Sequence, residues 1–219
     1  MSTRANEGLP FELLEDPAEL AGFQGWSEEV YRDLIALQKG RLSREAFDEK
    51  YLRRSAILVL DLTGFTETTI RGGALESFLR ILDAQRVCLP ILRQRGAGFV
   101  RTFADDIVAL FDDPGPALDA ALDIHARTWE YQKLHPREHD PAECCIGIGF
   151  GPIYAIGPNH AMGDEMNRAS KLGEDTARGG ETLLTEGAYT ILEKHPGVRF
   201  EPQAGDDLLF PFYRATLAG

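Results

Sequence analysis

The run SAILVLDL, residues 55–62, constrains the fold more than any other stretch of the chain. It is almost continuously aliphatic and β-branched, which suits a strand covered on both faces. Such a strand belongs inside a sheet with other elements packed over it. It delivers Asp61 near its C-terminal end, immediately before the turn LTGFT. A carboxylate there, followed by a Gly-containing turn with free backbone N–H groups, can bind a metal and present donors to phosphate together. A solvated turn aspartate before Gly64 is the simpler alternative.

The elements around that run follow from period and punctuation. Ser27 and Ser43 are placed to cap two helices, the first carrying Val30, Leu34 and Leu37 on one face and ending at Gly40. Residues 1–54 are therefore expected to form a helical arm, and residues 55–219 the main domain. In the main domain GALESFLRILDAQRVCLPILRQ has a helical period, and the apolar residues of FVRTFADDIVALF, residues 99–111, read as two short strands with Asp105 and Asp106 at the joint between them. PALDAALDIHARTWEYQKL reads as an amphipathic helix with Pro116 near its start. CCIGIGFG and PIYAIG read as a strand pair around Gly151-Pro152, GDEMNRASKLGEDTA as a helix, ETLLT as a strand, EGAYTILEKH as a helix, and residues 198–217 as edge strands. The order β-α-β-β-α-β-β predicts an α+β fold of the ferredoxin-like, split βαβ kind, enlarged at its C-terminal end.

Charge and cysteine usage narrow the function classes. The 219 residues carry a formal net charge of -12, which repels nucleic-acid polymers and anionic lipid surfaces. Three cysteines, two of them adjacent, do not make a disulfide framework, so a reducing, cytoplasmic setting is expected. No apolar stretch approaches the roughly 20 residues of a membrane span, and no membrane partner is expected.

A second carboxylate strengthens the metal reading. Asp105 lies at the joint between the two strands of residues 99–111. In the ferredoxin-like order that hairpin lies beside the first strand, so Asp61 and Asp105 would approach each other. Two bare carboxylates about 4 Å apart repel by about 4 kcal/mol at an effective dielectric near 20, a cost that a divalent cation reverses. Three other patterns carry less. HPREH, residues 135–139, fits a zinc signature, but Pro136 and Pro141 oppose the helix it needs. RGAGFVRT nearly matches an RNA-recognition signature, yet Ala97 and Thr102 stand where stacking aromatics belong. The glycines of GIGFG open no helix and read as close strand packing.

Four motifs in order then carry a family resemblance over about residues 55–216. LDLTGFT resembles D-I-x-G-F-T, VRTFADDIVALF resembles K-T-x-G-D-x-x-x-A-x-F, CCIGIGFGPI resembles R-I-G-I-x-x-G-P-V, and AMGDEMNRASKL resembles G-D-x-V-N-x-A-x-R-L of the class III adenylate/guanylate cyclases. The resemblance implies a class III nucleotide cyclase fold and a homodimer that binds a nucleoside triphosphate with two Mg²⁺ or Mn²⁺ ions. The ribose 3′-hydroxyl would attack the α-phosphate and release pyrophosphate. It further implies that Asp61 and Asp105 bind metal with help from the Leu62 carbonyl. Gly64, Phe65 and Thr66 would face the phosphates, Asn167 would position the ribose, and Asp106 would be a neighbour of the site and not a ligand. In the family geometry the metal aspartates come from one protomer, and the residues at positions 101, 160, 167 and 171 from the other.

The departures from the pattern are informative. Lys171 stands where the family carries an arginine that stabilises the pentavalent phosphorus, so charge is kept and the planar fork is lost. Where the family often has Lys-Gly in its tail, this chain has GDDLLFPF. Arg101 and His160 occupy the base-reading positions. Arginine only donates, so Arg101 suits a keto acceptor such as guanine O6 or uracil O4 better than an exocyclic amine; it could instead satisfy Asp164 or Glu165. A catalytically silent, nucleotide-binding cyclase-like module is the alternative these departures allow.

Overall fold

A computed structural model describes residues 13–23, 25–135, 143–156, 160–205 and 208–218, and within these not the side chains of Thr66 and Glu67. Three short helices come first: α1 (Pro17–Ala21), α2 (Glu28–Gln38) and α3 (Arg44–Tyr51). Then follow β1 (Leu52–Leu62), α4 (Phe65–Gln94), β2 (Phe99–Phe103), β3 (Asp106–Phe111), α5 (Pro114–Leu134) and β4 (Cys144–Ile156). The chain continues through β5 (His160–Met162), α6 (Asp164–Ser170) and a π-helical turn, Lys171–Thr176. It closes with β6 (Thr182–Thr185), α7 (Glu186–Leu192), β7 (Val198–Gln203) and β8 (Phe212–Leu217).

These elements divide into two compact units, one holding the described residues up to Leu52 with Tyr154–Met162, the other holding Arg53–Ile153 and the residues from Gly163 onward. In the smaller unit, Ser27 Oγ accepts from the Val30 N–H and Ser43 Oγ from the Ala46 N–H, as the cap residues predict. Gly40, with φ of 65°, follows α2. Val30, Phe47, Tyr51 and Ile156 form the core of this unit, with Trp26, Leu34 and Leu37 against it. Leu52, Arg53 and Arg54, directly after α3, begin β1.

In the larger unit the sheet order is β2-β3-β1-β4-β6-β8-β7. The first four strands in that order are the ferredoxin-like arrangement expected from sequence, and β6, β8 and β7 extend it on the β4 side. Residues 56, 58, 60 and 62 of β1 join the cluster formed with Cys88, Leu92, Leu118 and Ile124 of α4 and α5. Ile57 and Val59, pointing the other way, are also fully buried. The strand is therefore covered on both faces, as its composition demands.

The structure corrects the reading of residues 144–156. They form one strand, not a pair around Gly151-Pro152, and the local partner of its last turns is β5, through Tyr154↔Met162 and Ile156↔His160. Its glycines bring α6 into backbone contact. A Cβ on Gly147 would lie 2.1 Å from the Ala169 carbonyl oxygen and 2.6 Å from the Gly173 nitrogen, and one on Gly173 would lie 2.8 Å from the Val59 carbonyl oxygen. Glu165 of α6, 7% exposed, fastens the contact. Its Oε2 accepts from the Phe150 N–H at 3.2 Å and from the Thr185 hydroxyl at 2.8 Å, and its Oε1 pairs with Arg168 at 3.2 Å.

Replacing Gly147 with Ala should cost about 3 kcal/mol by overpacking against backbone that cannot step aside, and lower the thermal midpoint by roughly 6–12 °C. Gly115→Ala, where nothing lies within 4 Å of the added methyl, should leave the midpoint unchanged or slightly raised. Thermal denaturation of the two variants checks this.

Candidate active site

The sheet register assembles the carboxylates. β1 and β3 pair antiparallel through Val59↔Val108 and Leu60↔Ile107. One residue further along the same register sets Asp61 opposite Asp106, on the face of Val59. β2 and β3 join through a two-residue turn, Ala104-Asp105, after the pair Phe103↔Asp106. Ala104 has φ of 49° and is the one non-glycine residue in the left-handed region among those described. That conformation costs an alanine roughly 1 kcal/mol, and it lifts Asp105 out of strand alternation. The result is a cluster in which Asp61, Asp105 and Asp106 each offer a carboxylate oxygen, all within 4.8 Å of one another. Asp106, read from sequence as a neighbour of the site, stands inside the cluster.

The turn expected from sequence to face phosphates grows directly from β1. Gly64 caps α4 with φ of 67°, a left-handed conformation that glycine adopts without strain. The Thr63 N–H donates to the Glu143 carbonyl at 3.0 Å, and the Thr68 N–H donates to the Gly64 carbonyl at 3.0 Å. The N–H groups of Gly64 and Phe65 precede the helical ladder and have no acceptor within it. The side chain of Thr66 lies outside the described residues, as do residues 136–139 of HPREH and Asp206 and Asp207 of the tail motif.

The remaining sequence candidates sit elsewhere. Arg101 is half-buried on β2 opposite Val108, and its charge lowers the Asp106 carboxyl against the other influences on it. Glu165 takes Arg168 rather than Arg101. Asn167 is exposed on α6, and Lys171, at the start of the π-helical turn, pairs with Asp175 at 2.9 Å. No hydrogen bond or ion pair among the described residues joins Asn167 or Lys171 to the aspartates. His160 lies on β5 in the smaller unit. Two groups escaped the sequence reading. Glu174 adds a fourth negative charge that acts on both Asp61 and Asp106. Arg80, 3% exposed on α4, donates to the Thr63 carbonyl; an arginine on the stripe shared with Val87 and Cys88 is the signal that could have found it.

Crowding shows in the protonation of the cluster. Burial, then the charges of Asp105 and Asp106, push the Asp61 carboxyl up to about 7, against a hydrogen bond from the Leu62 N–H. Burial, then Glu174 and Asp105, push Asp106 up to about 6. The folded chain thus holds protons that the unfolded chain has lost, so without a cation stability falls as pH rises from about 4 to about 7 and levels above that. Asp61→Asn should raise the metal-free midpoint at pH 7.5 by a few degrees, roughly 1 kcal/mol after discounting for partial exposure. It should also flatten the decline between pH 5 and 7.5, as thermal scans across that range will show.

No protein-family model matches the chain. It is 28% identical over 198 residues to an adenylate cyclase of Streptomyces griseus, covering 86% of this chain and 46% of that protein; the chain spans less than half the length of the curated adenylate cyclases it matches. Among solved structures it is similar to the adenylyl cyclase CyaB from P. aeruginosa, with a TM-score of 0.64 and 18% identity, over 77% of this chain and 96% of that one. It is also similar to the guanylate cyclase domain of RhGC from Catenaria anguillulae in complex with GTP, with a TM-score of 0.59 and 21% identity, over 76% and 97% of the two chains. The chain thus has the fold of adenylyl and guanylyl cyclase catalytic domains, and over most of its length its sequence is similar to a curated adenylate cyclase.

Proposed function

We propose that the chain is a nucleotidyl cyclase that converts a nucleoside triphosphate to a 3′,5′-cyclic nucleotide and pyrophosphate, working as a homodimer with Mg²⁺ or Mn²⁺. The observation that carries this reading is the carboxylate cluster at the end of β1, next to a turn built to face an anion. The donor set fits: hard oxygen ligands suit Mg²⁺ and Mn²⁺, and crowded carboxylates gain most from a cation. Asp61 and Asp105 would hold the ions with the Leu62 carbonyl, and the third carboxylate, Asp106, adds charge at the same place. Two such ions, when bound, activate the attacking hydroxyl and neutralise the leaving pyrophosphate.

The other roles fall to the chain's own groups. The Gly64 and Phe65 N–H groups, with Thr66, receive the phosphates. Asn167 orients the ribose, and Lys171 supplies positive charge to the transferring phosphorus once it leaves Asp175. Arg101 and His160 read the base. Because Arg101 only donates, GTP or UTP is expected to be turned over faster than ATP.

Support for a second copy comes from α4. Leu75, Phe78, Leu79 and Leu82 form an outward stripe at helical spacing, with Leu75 72% and Phe78 65% exposed, and Phe103 projects from the hairpin. An apolar face of that kind marks an association surface. Asn167 and Lys171 are exposed as groups serving a partner's site would be.

Incubating the purified chain with Mn²⁺ and each of ATP, GTP, CTP and UTP should give a cyclic nucleotide with one pyrophosphate per turnover. No product from any of the four, at concentrations where the chain self-associates, would replace this reading with that of a silent nucleotide-binding module. Asp61→Ala and Asp105→Ala should each lower the rate at least about 1,000-fold, and Lys171→Arg should raise it by about tenfold or more. Phe78→Glu should reduce activity and sedimentation mass together; a variant that remains fully active as a monomer would remove the dimer from the proposal.

A further inference from the structure

We propose that Arg80 is a positioning residue that sets the phosphate-facing turn from beneath. The inference rests on the reading of Gly64 and Phe65 as anion donors. The Arg80 guanidinium is buried, with 3% of the residue exposed. Its Nη2 donates to the Thr63 carbonyl at 2.5 Å and its Nη1 to Thr68 Oγ1 at 3.4 Å. Thr68 in turn clamps the Gly64 carbonyl twice, through its N–H at 3.0 Å and its hydroxyl at 3.1 Å. Thr63 Oγ1 shares a hydrogen bond with Cys145 Sγ at 3.4 Å. Two successive carbonyls of the turn are therefore held inward by one connected set of donors that begins at Arg80.

Only a guanidinium does this well. It stays charged, and its planar fork reaches two acceptors at once. An aliphatic residue would cover this stretch of α4 without the desolvation that a buried cation costs, as Val87, Cys88 and Ile91 do further along. Fixing a peptide carbonyl inward fixes the following N–H outward, because the two lie in one plane. Arg80 on the Thr63 carbonyl thus sets the direction of the Gly64 N–H, and the clamp on the Gly64 carbonyl sets that of Phe65. The same cation adds positive potential behind the donors.

This role predicts a defect in phosphate binding rather than in chemistry or folding alone. Magnesium tripolyphosphate serves as the probe, measured by calorimetry on the wild-type chain, Arg80→Met, Arg80→Lys and Thr68→Val. Arg80→Met should weaken binding about tenfold or more, and Thr68→Val about threefold. Arg80→Lys should fall between wild type and Arg80→Met. With whichever nucleotide is turned over, KM should rise in step while kcat changes less than about threefold. Binding within twofold of wild type in Arg80→Met overturns the proposal, as does a loss of kcat at constant KM. Should Arg80→Met not fold, Arg80→Lys and Thr68→Val decide: unchanged affinity in both overturns it. A wild-type chain that does not bind tripolyphosphate overturns it too, whether or not a cyclic product forms. A wild-type chain that binds the probe in an Arg80-dependent way without making a cyclic product keeps this proposal and removes the cyclase reading.

Discussion

The approach of the turn after α6 to the backbones of β1 and β4 is closer than any side chain permits, and the site depends on it. Gly147 and Gly173 make the contact possible, and Gly173 touches both strands. Because the contact is backbone on backbone, it fixes α6 as a rigid body, without the slack of interdigitating side chains. Asn167, Lys171 and Glu174 all ride on that segment. Glu165 locks its rotation by giving a buried carboxylate three partners, which is what a charge in that position requires.

The acidic end of β1 is the converse case, a place where the fold accepts repulsion. β1 is buried on both faces, so the charge at its tip is drawn partly into the protein, and the register brings Asp106 opposite it. Glu174 joins from the same close-packed turn. The folded chain is then less stable near neutral pH than its packing would allow. A divalent cation held as proposed would convert the same groups into a source of stability.

Much of this was legible in the residues. The double burial of β1 followed from its composition, the starts of α2 and α3 from Ser27 and Ser43, and the strand order from the alternation of periods. Asp106 was set beside the site by the family resemblance, and what the residues alone did not show is the left-handed turn at Ala104, which brings Asp105 to the same cluster as Asp61 and Asp106. β4 was divided in two because Gly-Pro reads as a turn, whereas β5 supplies a local partner that carries the strand past Pro152. Arg80 escaped because an arginine on a helix reads as solvent-facing unless the carbonyl it must satisfy is known.

The alanine at position 104 has a further effect. Its methyl group strains the turn by roughly 1 kcal/mol, yet it also removes freedom from the unfolded chain relative to glycine. The strain outweighs that saving in stability, and the two act in the same direction on motion. A glycine there could exchange among turn types, whereas alanine has one narrow well to occupy. For the cation site proposed here, the Asp105 carboxylate would then be held in place beforehand, and the entropy of ordering it would be spent during folding instead of at each binding event.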